Sequence, residues 1–231
     1  MHALPHLSPL DWLALVTFFA CWGGYAWFSE HSRGGAHGLN STTQHYRLLW
    51  AYRLLERDIR VADSTLIGNL VTSVSFYANT PIYIIAGLIA ALGAADQLLG
   101  LAADLPFSAL GNKELLEIKL MLVLGSFVFA YFKFTWSLRQ FNLLSILVGA
   151  APQGTAGAPE IDSYACRLAG ANSLAGDDFN RGIRAYYFGL AAAVWLLNPL
   201  ICALASLAIL VVLYRRDYRS PALAALRQDG T

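Results

Sequence analysis

The chain has 231 residues, of which 57% are hydrophobic and 13% charged. A soluble domain carries roughly 25% charged residues, so this composition excludes an ordinary soluble globule and fits a single membrane domain. The net charge of +1 supplies no broad basic field, and nucleic-acid binding therefore has no electrostatic support.

The sequence predicts an all-α integral membrane protein with four long transmembrane helices and one amphipathic interfacial or cytoplasmic helix. Residues 1–220 form the four-span domain and residues 221–231 a short C-terminal tail. The first apolar segment is 10–28, with Asp11 and Trp12 at its entry and Trp22, Tyr25 and Trp27 near its exit, the pattern of an interfacial aromatic belt. No Lys or Arg precedes it and no small-residue cleavage site is clear, so it reads as an uncleaved span. Residues 32–39, SRGGAHGL, make a flexible connection.

Residues 41–62 differ in character. Leu48, Leu49, Tyr52, Leu55 and Ile59 recur at helical spacing, with Arg53, Glu56, Arg57 and Arg60 on another face. Such a helix lies in the headgroup layer, where Arg47, Arg53, Arg57 and Arg60 meet anionic lipid or a cytoplasmic partner, or presents a solvated face with salt bridges around Glu56. Asp63 or Ser64 is placed to cap the next helix.

Residues 66–95 pass without a formal charge and make the second span. Thr72, Ser75 and Asn79 share one helical face and Asn69, Ser73 and Thr80 the neighbouring one, a polar stripe expected to face protein or water. Ala86, Gly87, Ala90, Ala91 and Gly93 offer a close-packing surface, and Pro81 predicts a bend. An acidic stretch, 96–117, follows and includes the turn-like LPFSALGN. The third segment, 115–150, has its membrane part at 118–134, with Lys133 and Arg139 at the cytoplasmic boundary. Residues 151–159, APQGTAGAP, break the chain; a small-residue helix is expected at 160–174 and a new helix start at Asp177 and Asp178. The fourth segment, 186–214, carries Asn198, Cys202 and Ser206 on one face and a kink at Asn198-Pro199.

Lys and Arg cluster after spans one and three, which puts those connections in the cytoplasm and the N-terminus outside. Four spans then leave Arg215, Arg216 and Arg219 outside, against the same rule. A re-entrant hairpin turning at Asn198-Pro199 would relieve the conflict; one kinked span over 186–214 is the expectation adopted.

Taken together, RLLWAYRLLERDIRVAD, SFYANTPIYIIAGLIAALG, FKFTWSLRQFN with the following VGAAP, and FNRGIRAYYFGLAA make residues 10–220 resemble the integral membrane domain of unknown function 599 family. The resemblance implies the four-span architecture and carries no catalytic or binding residue.

Chemistry is sparse. The five histidines lie outside the spans or near their ends, so no haem is held between helices, and His31, His37 and His45 lack tight metal-ligand spacing. Cys21, Cys166 and Cys202 read as packing thiols. No nucleophile elbow or phosphate loop is present, so no cofactor, metal or enzymatic activity is expected. The functional reading is an oligomeric channel lined by Asn69, Thr72, Ser73, Ser75, Asn79 and Thr80 and narrowed by Phe76 or Ile82. Its alternative is a non-transporting scaffold docking lipid or a partner through Arg47, Arg53, Arg57 and Arg60, and a small-solute carrier is weaker still. Partners are membrane lipid and further copies of the chain, in a membrane of bacterial inner-membrane type.

Overall fold

Long apolar runs with polar caps dictate helices, and helices are what the computed structural model contains. It describes residues 7–31, 38–102 and 112–227. In chain order they are α1 (Pro9–His31), α2 (Leu39–Glu56), α3 (Val61–Gly93), α4 (Ala95–Ala102), α5 (Lys113–Gly149), α6 (Pro159–Val194), α7 (Pro199–Tyr218) and α8 (Pro221–Arg227), with no strand among the described residues. His2, His6, His37, most of the glycine-rich connection and nearly all of LPFSALGN lie outside them.

Four stretches, α1, α3, α5 and Pro199–Leu226, are long and apolar enough to cross a membrane, as expected for an all-α membrane protein. At 1.5 Å per residue the 33 residues of α3 reach about 50 Å, well beyond a bilayer core of about 30 Å. The surplus lies at one end of the bundle. There α2, the first half of α3, the end of α5 and the start of α6 close a core of their own around Leu54, Leu55, Ile67, Phe141, Leu144 and Leu168.

The fourth leg differs from the expectation. Residues 186–214 are not one kinked span: α6 ends at Val194, the chain turns, and α7 starts at Pro199. Asn198 is the cap, its Oδ1 accepting from the Leu200 amide at 2.8 Å, and Pro199 sits where a missing amide proton costs nothing. The limb before the turn is the last part of a 36-residue helix, not half of a re-entrant hairpin. Nor do Asp177 and Asp178 start a helix, since α6 runs unbroken through both.

Helix α6 passes along α1 from the Arg181–Glu30 pair at one end to Trp195 at the other, where the indole donates to Asp11 at 2.9 Å. Residues 181–195 therefore run antiparallel to α1 for about 21 Å, so that beside the four apolar stretches the chain passes along the bundle a fifth time. An odd number of traverses sends Arg215, Arg216 and Arg219 to the end that holds α2, where Tyr25 donates to Asp217 at 2.6 Å and Tyr46 to the Leu226 carbonyl at 3.1 Å. Both arginine clusters share one basic end, and the charge conflict of a four-leg count disappears.

The close packing sits on α6 rather than α3. A Cβ at Gly182 would stand 2.6 Å from the Phe134 ring, and one at Gly189 3.1 Å from Phe127. Gly87 and Gly93, expected to admit a neighbouring helix, have open space around them within this chain.

Smaller expectations change too. Trp22 packs inward on Phe188 and Tyr25 is buried, leaving Trp12 and Trp27 as the outward-facing members of the expected belt. The amphipathic helix ends at Glu56 rather than Ala62. Asp63 lies inside the first turn of α3 as a buried acceptor and caps nothing. Residues 221–227 are a docked helix, with Leu223 buried.

Candidate functional site

At the basic end α1 and α7 stop while α6 continues, and α2 crosses beside them. The four elements enclose a cavity of about 700 Å³. Four arginines line it: Arg47 from α2, Arg181 and Arg184 from α6, and Arg216 from α7. Three of the four have partners. Arg181 donates to Glu30 at 2.9 Å and Asp178 at 3.3 Å, Arg184 to the Ser29 hydroxyl, and Arg216 to Asp217 at 3.1 Å. The carboxylates are engaged as well, Asp177 by the Asn40 amide and Asp217 by Tyr25 and Arg216.

Arg47 is the exception. Its Nη1 is buried and has no hydrogen-bond partner. Gly176 of α6 makes the room, since a Cβ there would collide with Nη2. Burial pulls the Arg47 guanidinium below its ordinary pKa, and nearby Asp177 pulls it back up. A half-buried cation with an unpaired donor is the arrangement that accepts an anion.

A second space adjoins the first. A groove of about 640 Å³ runs between α2, α3, α5 and α6, walled by Leu66, Leu70, Val74, Phe141 and Phe179. Thr43, Arg47 and Asn180 belong to both walls, so Arg47 stands where the polar cavity meets the apolar groove.

The α3 stripe is placed differently from a lumen. Asn69, Thr72, Ser73, Phe76, Asn79 and Ile82 are exposed, Ser75 and Thr80 partly so, all turned from their own bundle except Asn69 and Ser73, which line the groove. Thr72, Ser73, Ser75 and Thr80 donate to their own helix at i−4, onto Gly68, Asn69, Val71 and Phe76, at 2.8–3.0 Å. Those hydroxyls need neither water nor a second helix. Tyr77 packs on Phe134 and Phe179 beside Asp178, level with the end of α1, so Asn69 to Ser75 project beyond that level.

The arginines predicted to form one docking face are likewise dispersed. Arg57 donates to Asp63 at 2.7 Å, beside Trp50 Nε1, also at 2.7 Å. Arg60 holds the Leu54, Ala151 and Pro152 carbonyls and so ties the α2–α3 link to the α5–α6 connection. Arg53 pairs with Glu56 on the exposed surface. Arg47 alone of the four faces a cavity with a free donor.

A family model described as "Protein of unknown function, DUF599" matches residues 13–222. The chain belongs to the DUF599 family. Comparison with curated proteins and with solved structures returned no significant match. In this DUF599 chain the matched stretch contains every residue of the cavity and of the groove.

Sequence reasoning about the DUF599 chain missed its buried ionisable groups. Asp11 and Lys119 are both buried, 3.9 Å apart, with Trp195 and Ser8 also donating to Asp11. Asp178 receives Lys133 at 3.0 Å and Gln140 at 2.6 Å. Lys119 and Lys133, fourteen residues apart on α5, were a legible signal: charges deep in an apolar run call for partners on facing helices.

Proposed function

We propose that this membrane protein binds an anionic ligand at its basic end, in the cavity between α1, α2, α6 and α7. By the positive-inside rule that end faces the cytoplasm. One observation carries the reading: Arg47 Nη1 is buried without a partner while every other guanidinium lining the cavity has one. Leaving a buried donor unpaired costs about 1–3 kcal/mol, and more when it is charged. An anion removes that cost through a charge-assisted bond. The role is binding, with no catalytic step, and it narrows arginine-mediated docking from the whole of α2 to one side chain.

The test is thermal stability of the purified protein in neutral detergent, titrated with inorganic phosphate and with anionic and zwitterionic short-chain phospholipids. An anion at ten times its Kd stabilises by about 1.4 kcal/mol, visible as a rise in Tm. Arg47→Gln should abolish the rise and Arg53→Gln should keep it. An equal response in Arg47→Gln, or no response to any anion, refutes the assignment.

A second reading is a ring of copies with α3 lining a pore. In its favour, Thr72, Phe76, Asn79 and Ile82 face away from their own bundle, so only further copies would enclose them. Native mass spectrometry decides it: a closed ring whose conductance changes in Asn79→Leu or Thr80→Leu supports the pore, and a monomer or dimer ends it.

A further inference from the structure

The cavity and the groove meet at Arg47, and their chemistries are opposite. The cavity is polar and holds the unpaired guanidinium nitrogen; the surface of the groove is mainly aliphatic and aromatic, with Asn69, Ser73 and Asn172 set among those side chains. A free inorganic anion would use the first and leave the second without an occupant. An amphiphile with an anionic head uses both. We infer that the ligand is a single anionic phospholipid, its phosphate at Arg47 and an acyl chain in the groove between α2, α3, α5 and α6. The inference rests on the anion-binding reading and names the substrate class of that site.

Three observations favour a bilayer lipid over a soluble amphiphile. The first is depth. From Asp11 to Glu30, α1 covers about 29 Å, the thickness of a bilayer core, and Glu30 pairs with Arg181 in the wall of the cavity that Arg47 also lines. That level is where lipid phosphates lie. The second is access. Leu66 and Leu70 line the groove and are themselves exposed, and its near end, at Val74 and Phe179, lies beside Tyr77 at the headgroup level, where it adjoins the apolar surface of Phe76, Ile82, Tyr83 and Ile89; an acyl chain that fills the groove is drawn out of the bilayer core through that end. The third is charge complementarity. A guanidinium presents parallel donors that match two phosphate oxygens, and Arg47 Nη1 is buried without a partner where Arg181, Arg184 and Arg216 each already bond a residue of the chain. The groove volume, about 640 Å³, falls within the roughly 300–1,000 Å³ typical of ligand pockets.

Gly176 completes the site. Its missing Cβ leaves the space that Arg47 Nη2 fills, so the guanidinium position depends on this glycine. Gly176→Ala pushes aside the end of a flexible side chain rather than backbone, and tests the site without deleting the charge.

The experiment uses the full chain in nanodiscs of phosphatidylcholine doped with phosphatidylglycerol, followed by native mass spectrometry of retained lipid. The wild type is expected to keep phosphatidylglycerol in preference to phosphatidylcholine. Arg47→Gln and Gly176→Ala should each lower that retention at least tenfold. Leu70→Trp, which fills the groove, should lower lipid retention to a similar degree while leaving stabilisation by inorganic phosphate unchanged. Arg47-dependent stabilisation by inorganic phosphate, with no preference for the anionic lipid, overturns the lipid and keeps the anion site. Unaltered lipid retention in Leu70→Trp overturns the groove as the seat of the chain. Loss of every Arg47-dependent effect overturns both readings.

Discussion

Alanine at Gly182 should destabilise the bundle, although alanine is the better helix former. A Cβ at Gly182 lies 2.6 Å from Phe134 Cε1, closer than non-bonded carbons approach. Phe134 cannot swing clear, because it is fully buried with the rings of Tyr77 and Phe179 against it at 5.9 and 5.7 Å. Overpacking of this kind costs about 1–3 kcal/mol, and the gain in helix propensity returns about 1 kcal/mol. The net expectation is a loss of up to about 2 kcal/mol. Gly189→Ala, where the Cβ meets Phe127 at 3.1 Å, should cost less, and Gly87→Ala, in open space, should cost nothing. Reversible unfolding in mixed micelles of mild detergent and dodecyl sulfate gives the three values on one scale. The double variant Gly182→Ala with Phe134→Leu should recover part of the loss, since leucine leaves the colliding ring edge empty. Equal effects at Gly182 and Gly87, or no coupling with Phe134, would refute the account of how α5 and α6 meet.

The arginines of the α2–α3 region should separate sharply in the same assay. Arg60→Met removes three bonds to carbonyls, including those to Ala151 and Pro152 at 2.6 and 2.7 Å, and should cost about 2 kcal/mol or more. Arg53→Gln, which loses one exposed pair with Glu56, should stay within about 0.5 kcal/mol of the wild type. Five traverses also fix where the ends emerge. Reporter tags at the two termini should label from opposite faces of the membrane, and labelling from the same face would return the count to an even number.

Much of the architecture was legible because α1, α3 and α5 are apolar runs whose length alone demands helix. Helix α6 was not. Its first part read as a separate helix over 160–174 and Asp177 and Asp178 as the start of another, and only packing against α5 makes them parts of one helix. Asp178 is buried because Lys133, Gln140 and Arg181 converge on it, and two of those come from elsewhere in the chain. The one visible sign was electrostatic, the stranding of Arg215, Arg216 and Arg219 on the wrong side of an even-numbered chain. The site was legible only in part. Arg47 stood among four arginines with nothing local to distinguish it, and what sets it apart is a glycine far along the sequence on α6. The stripe on α3 misled for the opposite reason: a hydroxyl donates to the backbone carbonyl four residues before it, sharing that acceptor with the helix, and periodicity does not register that.

Helix α1 packs on α6 and α7 rather than on α3, its successor among the spans. Phe18 meets Phe188, and Tyr25 reaches Asp217 across 192 positions of chain. During synthesis α1 is therefore made long before the surfaces that receive it, and it waits in lipid while α3, α5 and α6 are threaded. The aspartate that secures it is made 192 residues after Tyr25. Assembly of the bundle is in this sense deferred: a chain released before α7 is made has no aspartate for Tyr25 and only part of the packing of its first helix.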